Sequence, residues 1–215
     1  MLFRSQFNGL RENERGALNL VNNTLYIEWA SHGDNGPYHG WVVAWDISNL
    51  STTGWRMTGV FNTSPNGGLA GIWQGGGRLA FESNASAFYF ETGNGPSNHG
   101  NPVLDGNGFP VDGDYYEALV KVVADTTTTP THQNINGWGF RAADYFIPFN
   151  QVALDNADSD FGSGAPILLP DSAGIAGHPH LILASGKEGK IYVVDRDNMG
   201  KFNANNDNVL NSVPD

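Results

Sequence analysis

Three stretches of this chain share one pattern, which restricts its fold more than any other feature of the sequence. Each stretch has an apolar segment ending in small residues, a loop, and a second apolar segment that ends in an aspartate, at Asp46, Asp125 and Asp195. The segments are short, rich in Val, Ile, Tyr, Phe and Trp, and bounded by Gly, Asn, Asp and Ser, which is typical of β-strands. A carboxylate at a strand end accepts a hydrogen bond from the backbone N–H two residues on, so we expect the three aspartates to fix turns.

Further apolar segments flank these stretches and bring each group to about four strands, the plan of a propeller blade. The sequence therefore predicts an all-β fold, a partial β-propeller of about three four-stranded blades with almost no helix. We expect a single domain over residues 1–215, with units at residues 18–62, 66–150 and 163–202. The spacing between units exceeds that of a plain blade, and the surplus falls in long loops, where function tends to lie.

Composition excludes several classes of protein and site. The 215 residues include no cysteine, which excludes disulfides, Cys-ligated metal sites and thiol nucleophiles. A net charge of −11 argues against a nucleic-acid partner. The apolar runs are too short to span a bilayer, and the first residues lack the apolar core of a signal peptide. The 28 glycines and 11 prolines separate short strands and do not indicate disorder.

Two of the stretches resemble the repeat of pyrroloquinoline-quinone (PQQ)-type β-propellers. They read Leu181-Ile-Leu-Ala-Ser-Gly-Lys-Glu-Gly-Lys-Ile-Tyr-Val-Val-Asp-Arg-Asp197, and Leu25-Tyr-Ile-Glu-Trp-Ala-Ser31 followed by Gly40-Trp-Val-Val-Ala-Trp-Asp46. The resemblance implies a quinoprotein-like propeller of four-stranded blades, commonly exported to the periplasm or the cell exterior. It also implies one of two roles, because some members oxidise sugars or alcohols with PQQ and calcium, whereas many others are binding or assembly scaffolds without a cofactor.

The chain departs from the cofactor-using members of that family in three respects. Without cysteine it has no vicinal disulfide of the kind on which several alcohol-oxidising members stack the quinone. No cluster of arginine or lysine stands out that would hold the quinone carboxylates. About three blades do not close a ring, since propellers use about four to eight. We therefore expect either self-association or further blades to complete the ring.

Loops between the second and third strands of each unit, together with the loops that join the units, are expected to share one face of a propeller. That face collects acidic, aromatic and basic side chains as a candidate ligand-binding surface: His32, Asp34, His39, Trp73, Asp112, Asp114 and Lys187. Carboxylates accept hydrogen bonds from sugar hydroxyls and aromatic rings stack on sugars, so Asp112 and Asp114 beside Tyr115 and Tyr116, and Trp73 among glycines, suit a glycan. The alternative is that these aromatic residues pack at blade edges.

Two groups have the ligand types of metal sites. Two imidazoles and a carboxylate within eight residues, at His32, Asp34 and His39, suit a transition metal, or else belong to a glycine-rich loop that satisfies its own backbone. Alternating oxygen ligands followed by glycine are typical of calcium, and this pattern occurs at Asp155, Asp158 and Asp160. The alternative there is a solvated acidic turn.

The sequence thus favours a binding or scaffold module for a glycan or protein partner. A quinoprotein-type oxidoreductase acting on a sugar or alcohol is the alternative, and a hydrolase that uses loop carboxylates is a more distant one. The sequence leaves open whether the protein is an enzyme, and PQQ and calcium follow from the resemblance or the acidic pattern alone.

Overall fold

The computed structural model describes residues 6–52 and 54–214 and has one short α-helix, α1 (Gln151–Asn156), besides its strands and three short 3₁₀ turns. In chain order the strands are β1 (Glu12–Glu14), β2 (Asn19–Val21), β3 (Thr24–Ser31), β4 (Trp41–Asp46), β5 (Arg56–Asn62), β6 (Ala80–Phe81), β7 (Ala87–Glu91), β8 (Leu119–Asp125), β9 (Gly137–Ile147), β10 (Ile167–Leu168), β11 (Leu181–Ser185), β12 (Lys190–Asp195), β13 (Lys201–Phe202) and β14 (Asn211–Pro214). The prediction of a nearly all-β chain is confirmed.

The strands form three four-stranded antiparallel groups. We call them unit 1 (β2, β3, β4, β5), unit 2 (β6, β7, β8, β9) and unit 3 (β10, β11, β12, β14), and strands pair in the order given. Units 1 and 2 join through a short β5–β9 pairing into one curled, half-barrel sheet, whereas unit 3 is a separate sheet. Strand β1 extends the β3 edge beside β2.

Side chains alternate across the strands of unit 2 and pack it between the other two units. Phe88 and Phe90 of β7 belong to a buried cluster with β4 and β5 of unit 1. Ala87 and Tyr89 of the same strand belong to a second cluster with β11 and β12 of unit 3. Because successive residues of a strand point to opposite faces, a strand that is apolar on both faces can serve two interfaces at once.

The three strand-ending aspartates fix turns, as predicted. In each, Oδ1 accepts a hydrogen bond from the backbone N–H two residues on, at 2.9, 3.1 and 2.8 Å for Asp46, Asp125 and Asp195. At Asp46, hydrogen bonds from the hydroxyl and backbone of Ser48 lower the pKa to about 2. The repeated aspartate is therefore a structural feature of the turns that follow β4, β8 and β12.

Unit 3 extends beyond the residue 202 expected from the sequence. Its fourth strand is β14, which pairs with β12. The intervening β13 pairs in parallel with β9 of unit 2 instead. The asparagine-rich segment 203–208 returns the chain to unit 3, with internal turns held by Asn203 side-chain hydrogen bonds. A strand of only two residues has no sequence signal that assigns it to one sheet over another, which is why the boundary differs.

Candidate functional site

Loops from successive units contact one another in series and form a continuous surface, which we call the loop face. In the segment after β5, the Asn66 backbone N–H donates a hydrogen bond to Asp114 Oδ1 of the β7–β8 loop, at 2.9 Å. In the same loop the Gly95 N–H donates to Asp155 Oδ1 in the segment after β9, at 2.8 Å. That segment in turn accepts hydrogen bonds from the Lys187 ammonium in the β11–β12 loop. Candidate ligand-binding residues from three units thus share this face.

A cleft of about 300 Å³ opens in the loop face beside unit 2. This volume is at the lower end of small-molecule sites, which span about 300–1,000 Å³. Polar side chains line one part of the cleft, namely Asp112, Asp114, Tyr116, His99, Asn101 and Gln151. The remaining wall is mostly apolar or backbone, from Gly67, Pro96, Gly100, Pro102, Val103 and Ile147. The cleft therefore combines a few placed polar groups with apolar walls, as small-molecule sites do.

Asp114 holds the base of the cleft in one arrangement. Its side chain is nearly inaccessible, its Oδ1 accepts the Asn66 N–H, and its Oδ2 accepts the Tyr116 hydroxyl at 3.0 Å. The pKa of Asp114 is raised to about 6, chiefly by burial and also by the neighbouring Asp112 carboxylate, against the lowering effect of the hydrogen bonds from Asn66 and Tyr116. Because both of its oxygens are already paired, Asp114 positions Tyr116 and leaves Asp112 as the carboxylate with capacity for a ligand.

His99 forms a second fixed element of the cleft, because both of its ring nitrogens have oxygen neighbours and its ring packs on an aromatic side chain. Nε2 lies 2.7 Å from Gln151 Oε1, while Nδ1 lies 3.2 Å from the Pro96 carbonyl and 3.5 Å from Asp155 Oδ2. The ring also packs on Tyr116 with centroids 4.7 Å apart. His99 thus links the cleft to Gln151 and Asp155 through contacts that hold its ring in place.

The charges around the cleft select the kind of ligand it accepts. Of the described residues that line it, none is Lys or Arg, whereas two are aspartates. An anionic ligand would meet uncompensated like charge, which costs binding free energy. A quinone carrying several carboxylates therefore does not fit this residue set. A neutral ligand rich in hydroxyls fits it.

Gly67 is required at the cleft because no side chain has room there. A Cβ added at this position would overlap the Tyr116 hydroxyl and approach Asp114 Oδ2 to 2.8 Å. We expect Gly67→Ala to displace Tyr116, break its hydrogen bond to Asp114 and lower the free energy of unfolding by about 1–3 kcal/mol. Chemical denaturation measures this change. At Gly106 an added Cβ meets nothing within 4 Å, so Gly106→Ala is the matched control, and equal destabilisation by the two variants would contradict the assignment.

Trp73 lies elsewhere on the loop face, in the segment between units 1 and 2. Its ring packs edge-on against Tyr38, with centroids 6.0 Å apart, and the Arg15 guanidinium lies 5.6 Å from the ring centroid. Tyr38 is buried and donates its hydroxyl to Asp34 Oδ1 at 2.5 Å. Trp73 and Asp34 therefore both contact Tyr38, and neither residue lines the cleft.

The structure places the three proposed transition-metal ligands apart. His32 is exposed, the Asp34 carboxylate accepts the Tyr38 hydroxyl, and the His39 ring turns toward the Ser64 carbonyl at 2.8 Å. Burial lowers the pKa of His39. Over residues 6–52 and 54–214, no group of three or more His, Asp or Glu side chains is arranged to hold a metal ion. These residues fit the loop alternative better than the metal site.

The proposed calcium ligands likewise point to different partners. Asp155 accepts from Gly95 and faces His99, whereas Asp160 and Asp158 lie 2.5 and 3.4 Å from the Lys187 ammonium. An ammonium thus already occupies the place between two of the three carboxylates. The residue set in this arrangement does not fit calcium, and Lys187 instead ties unit 3 to the segment that precedes it.

Sequence reasoning did not single out Asn101 and Gln151 for the candidate site. His99 stands in a long loop, and Gln151 begins the one α-helix of the described residues, 52 positions later. Their contact is tertiary, so spacing along the chain carries no sign of it. The long β7–β8 loop was the available signal, since long loops on a rigid β scaffold tend to carry sites.

A comparison of the chain with known protein-family models and a search of curated proteins found no match. Among the described residues, no helix has both the length and the apolar character needed to cross a membrane.

Proposed function

We propose that this chain comprises three blades of a PQQ-like β-propeller and that it is a binding module for a neutral glycan, which enters the cleft of the loop face. The cleft carries the functional part of this proposal. It places a carboxylate, an amide and an aromatic ring around a small volume, and the described residues that line it include neither Lys nor Arg. The glycan class follows from that combination, because hydroxyl groups need acceptors and donors and do not need a counter-charge.

The arrangement of strands supports the blade interpretation. One face of unit 2 packs on unit 1 and its other face packs on unit 3, and each of the three units begins with a very short strand. Those short strands, β2, β6 and β10, line a common groove of about 670 Å³. In a propeller the first strand of each blade lines the central channel, so a groove shared by the three first strands is the expected geometry.

Binding would use groups whose existing hydrogen bonds leave capacity for a ligand. Asp112 accepts the Asp114 N–H through Oδ1, at 3.1 Å, which leaves Oδ2 for a sugar hydroxyl. The Asn101 amide lies at the same opening and offers both a donor and an acceptor. The apolar face of a sugar ring would rest on Val103 and the prolines of the wall. The Asp114–Tyr116 and His99–Gln151 pairs hold this surface rigid, which limits the ordering cost of binding.

Titration with neutral sugars tests the proposal, using glucose, galactose, mannose and N-acetylglucosamine with their short oligomers. We expect at least one to bind, and Asp112→Asn to weaken its binding about tenfold, which corresponds to about 1.4 kcal/mol. Isothermal titration calorimetry measures both affinities. Asp105→Asn is the matched control, because Asp105 also accepts an N–H two residues on through Oδ1 but lies outside the cleft. We expect that variant to bind normally.

Other outcomes would favour the alternatives. Preference for glucuronate over glucose, or failure of every neutral sugar to bind, would contradict the glycan assignment. Reduction of a dye in the presence of PQQ, calcium and a sugar or alcohol would favour the oxidoreductase. Release of shorter sugars from a bound oligomer would favour the hydrolase that uses loop carboxylates.

A further inference from the structure

Six asparagines of this chain are followed directly by glycine, and such a pair can modify itself. The backbone nitrogen of the glycine can attack Cγ of the asparagine, because no Cβ shields that nitrogen. A bond forms between this nitrogen and Cγ, the bond from Cγ to Nδ2 breaks, and ammonia leaves with the proton of the glycine N–H. Water then opens the succinimide ring at either carbonyl, which gives aspartate or isoaspartate. The six asparagines are Asn8, Asn35, Asn66, Asn94, Asn107 and Asn136.

The folded structure opposes this reaction at three of the pairs by occupying the glycine N–H. The attacking nitrogen must lose its proton and approach Cγ, so a hydrogen bond donated by that N–H has to break first. The N–H groups of three glycines donate hydrogen bonds of 2.8, 3.0 and 2.9 Å, from Gly95 to Asp155 Oδ1, from Gly108 to the Asp105 carbonyl and from Gly137 to Asn134 Oδ1.

The pair at Asn66 is held through both of its residues. The Asn66 side-chain amide donates to the Asp112 carbonyl, and its backbone N–H donates to Asp114 Oδ1. The backbone N–H of Gly67 also lies against the Asp114 carboxylate. Rotation of the Asn66 side chain toward Gly67 would therefore break contacts between two loops, and we expect this pair to react slowly.

The first pair along the chain has a free glycine N–H but a restrained asparagine. In the described part of the chain, no acceptor meets the N–H of Gly9. However, Asn8 Oδ1 accepts the Leu10 N–H at 3.1 Å, and the Asn8 N–H donates to Glu12 Oε2 at 2.8 Å. The Asn8 carbonyl also accepts the Glu12 N–H. These contacts hold Asn8 on both sides of its side chain, so we place it second in reactivity.

The pair at Asn35 and Gly36 has the fewest restraints. Both residues are exposed in the β3–β4 loop, and the Gly36 N–H has no acceptor among the residues that the structure describes. The Asn35 side chain makes one hydrogen bond, from Nδ2 to the His32 carbonyl at 3.0 Å, and that bond is exposed to solvent. Around Gly36 there is room for a ring, since even an added Cβ would meet only Leu69, at 3.8 Å.

We propose that Asn35 is a modification site of the folded protein, where it deamidates to aspartate and isoaspartate ahead of the other five pairs. The product places a new carboxylate next to Asp34, which accepts the Tyr38 hydroxyl. Isoaspartate also lengthens the backbone of this loop by one carbon. The inference rests on hydrogen bonds of the loops and not on the cleft, so glycan binding and deamidation can fail separately.

Mass spectrometry of the aged protein tests this assignment. Folded protein and protein in urea are incubated side by side at pH 8 and then cleaved after Lys and Arg, which leaves Asn35 as the one Asn-Gly pair of peptide 16–56. We expect Asn35 to keep most of its urea rate in the folded protein. Asn107 is the matched control, because it is also exposed, and folding should slow it by about tenfold through the Gly108 hydrogen bond. Equal slowing of the two asparagines, or faster reaction at Asn107, would overturn the proposal.

Gly36→Ala tests the chemical route. The added Cβ shields the attacking nitrogen and makes only an ordinary contact, so the variant should unfold at the wild-type denaturant concentration and lose most of its deamidation at Asn35. Deamidation at Asn8 should stay unchanged. An enzyme that methylates isoaspartyl groups detects the second product. An unchanged rate at Asn35 in Gly36→Ala, or aspartate without isoaspartate in the wild type, would exclude attack by the Gly36 nitrogen.

Discussion

Replacing Phe146 with alanine is expected to lower the free energy of unfolding by about 3–5 kcal/mol. The side chain is inaccessible to solvent in β9 and packs on Phe161 and Tyr192, with ring centroids 6.0 and 5.2 Å apart. One residue thus joins unit 2 to the segment that follows it and to unit 3. Its removal leaves a cavity at a junction that three backbone segments hold in place, which limits collapse. Denaturant unfolding measures the loss.

Phe149 is the matched control, because it lies three residues later and is 41% exposed. We expect Phe149→Ala to change stability by less than about 1 kcal/mol. If Phe146→Ala cost no more than Phe149→Ala, the packing of unit 3 on unit 2 would be weaker than the structure indicates.

Stability is expected to fall as the pH rises from 7 to 9. Burial is the main cause that raises the pKa of Glu28 from 4.5 to about 8 and that of Glu117 from 4.5 to about 9. The folded protein therefore keeps protons that the unfolded chain releases above pH 4.5. Their stabilising effect is complete below that pH and is lost as the pH passes through 8 and 9. Each group contributes at most about 1.4 kcal/mol per pH unit.

The range from pH 7 to 9 separates the effect of Glu28 and Glu117 on stability from the effect of residues whose titration changes stability in the opposite direction. His39, with a lowered pKa, and Asp46, with a pKa of about 2, both titrate mainly below pH 7. Glu117→Gln should flatten the decline above pH 7, because an amide retains the acceptor for the Phe161 N–H without a charge. Glu188→Gln, at an exposed position that does not contribute to the raised pKa of either Glu28 or Glu117, should leave the slope unchanged. Denaturant unfolding at pH 7, 8 and 9 measures both, and an unchanged slope in Glu117→Gln would exclude Glu117 as a source.

Several parts of the fold could be predicted because their signals are local. The aspartates at strand ends fix turns through contacts only two residues long, so the residue type itself indicates the structure. Short β-branched and aromatic segments likewise indicate strands without knowledge of their partners. The assignment of β13 to unit 2 could not be predicted, since it depends on which sheet edge lies nearby.

The residues of the candidate site likewise divide into those that the sequence could identify and those that it could not. Asp112 and Asp114 could be identified as polar residues in a long loop, and the structure places both in one cleft. The calcium interpretation of Asp158 and Asp160 used only their spacing, whereas Lys187 lies 27 residues beyond Asp160 and takes up both carboxylates. The spacing of residues along a loop indicates which side chains are near one another. It does not indicate which charged side chain from another unit lies between them.

By itself, the sequence determined that this protein is nearly all-β, lacks disulfides and turns at repeated aspartates, because these depend on residue type and on contacts within a few positions. Only the tertiary structure decided that His99 joins Gln151 around the cleft and that five tryptophans gather at one end of the stack. Such groupings depend on how strands pair and units stack. Strand pairing brings together residues that are distant in sequence, and no local pattern records their encounter.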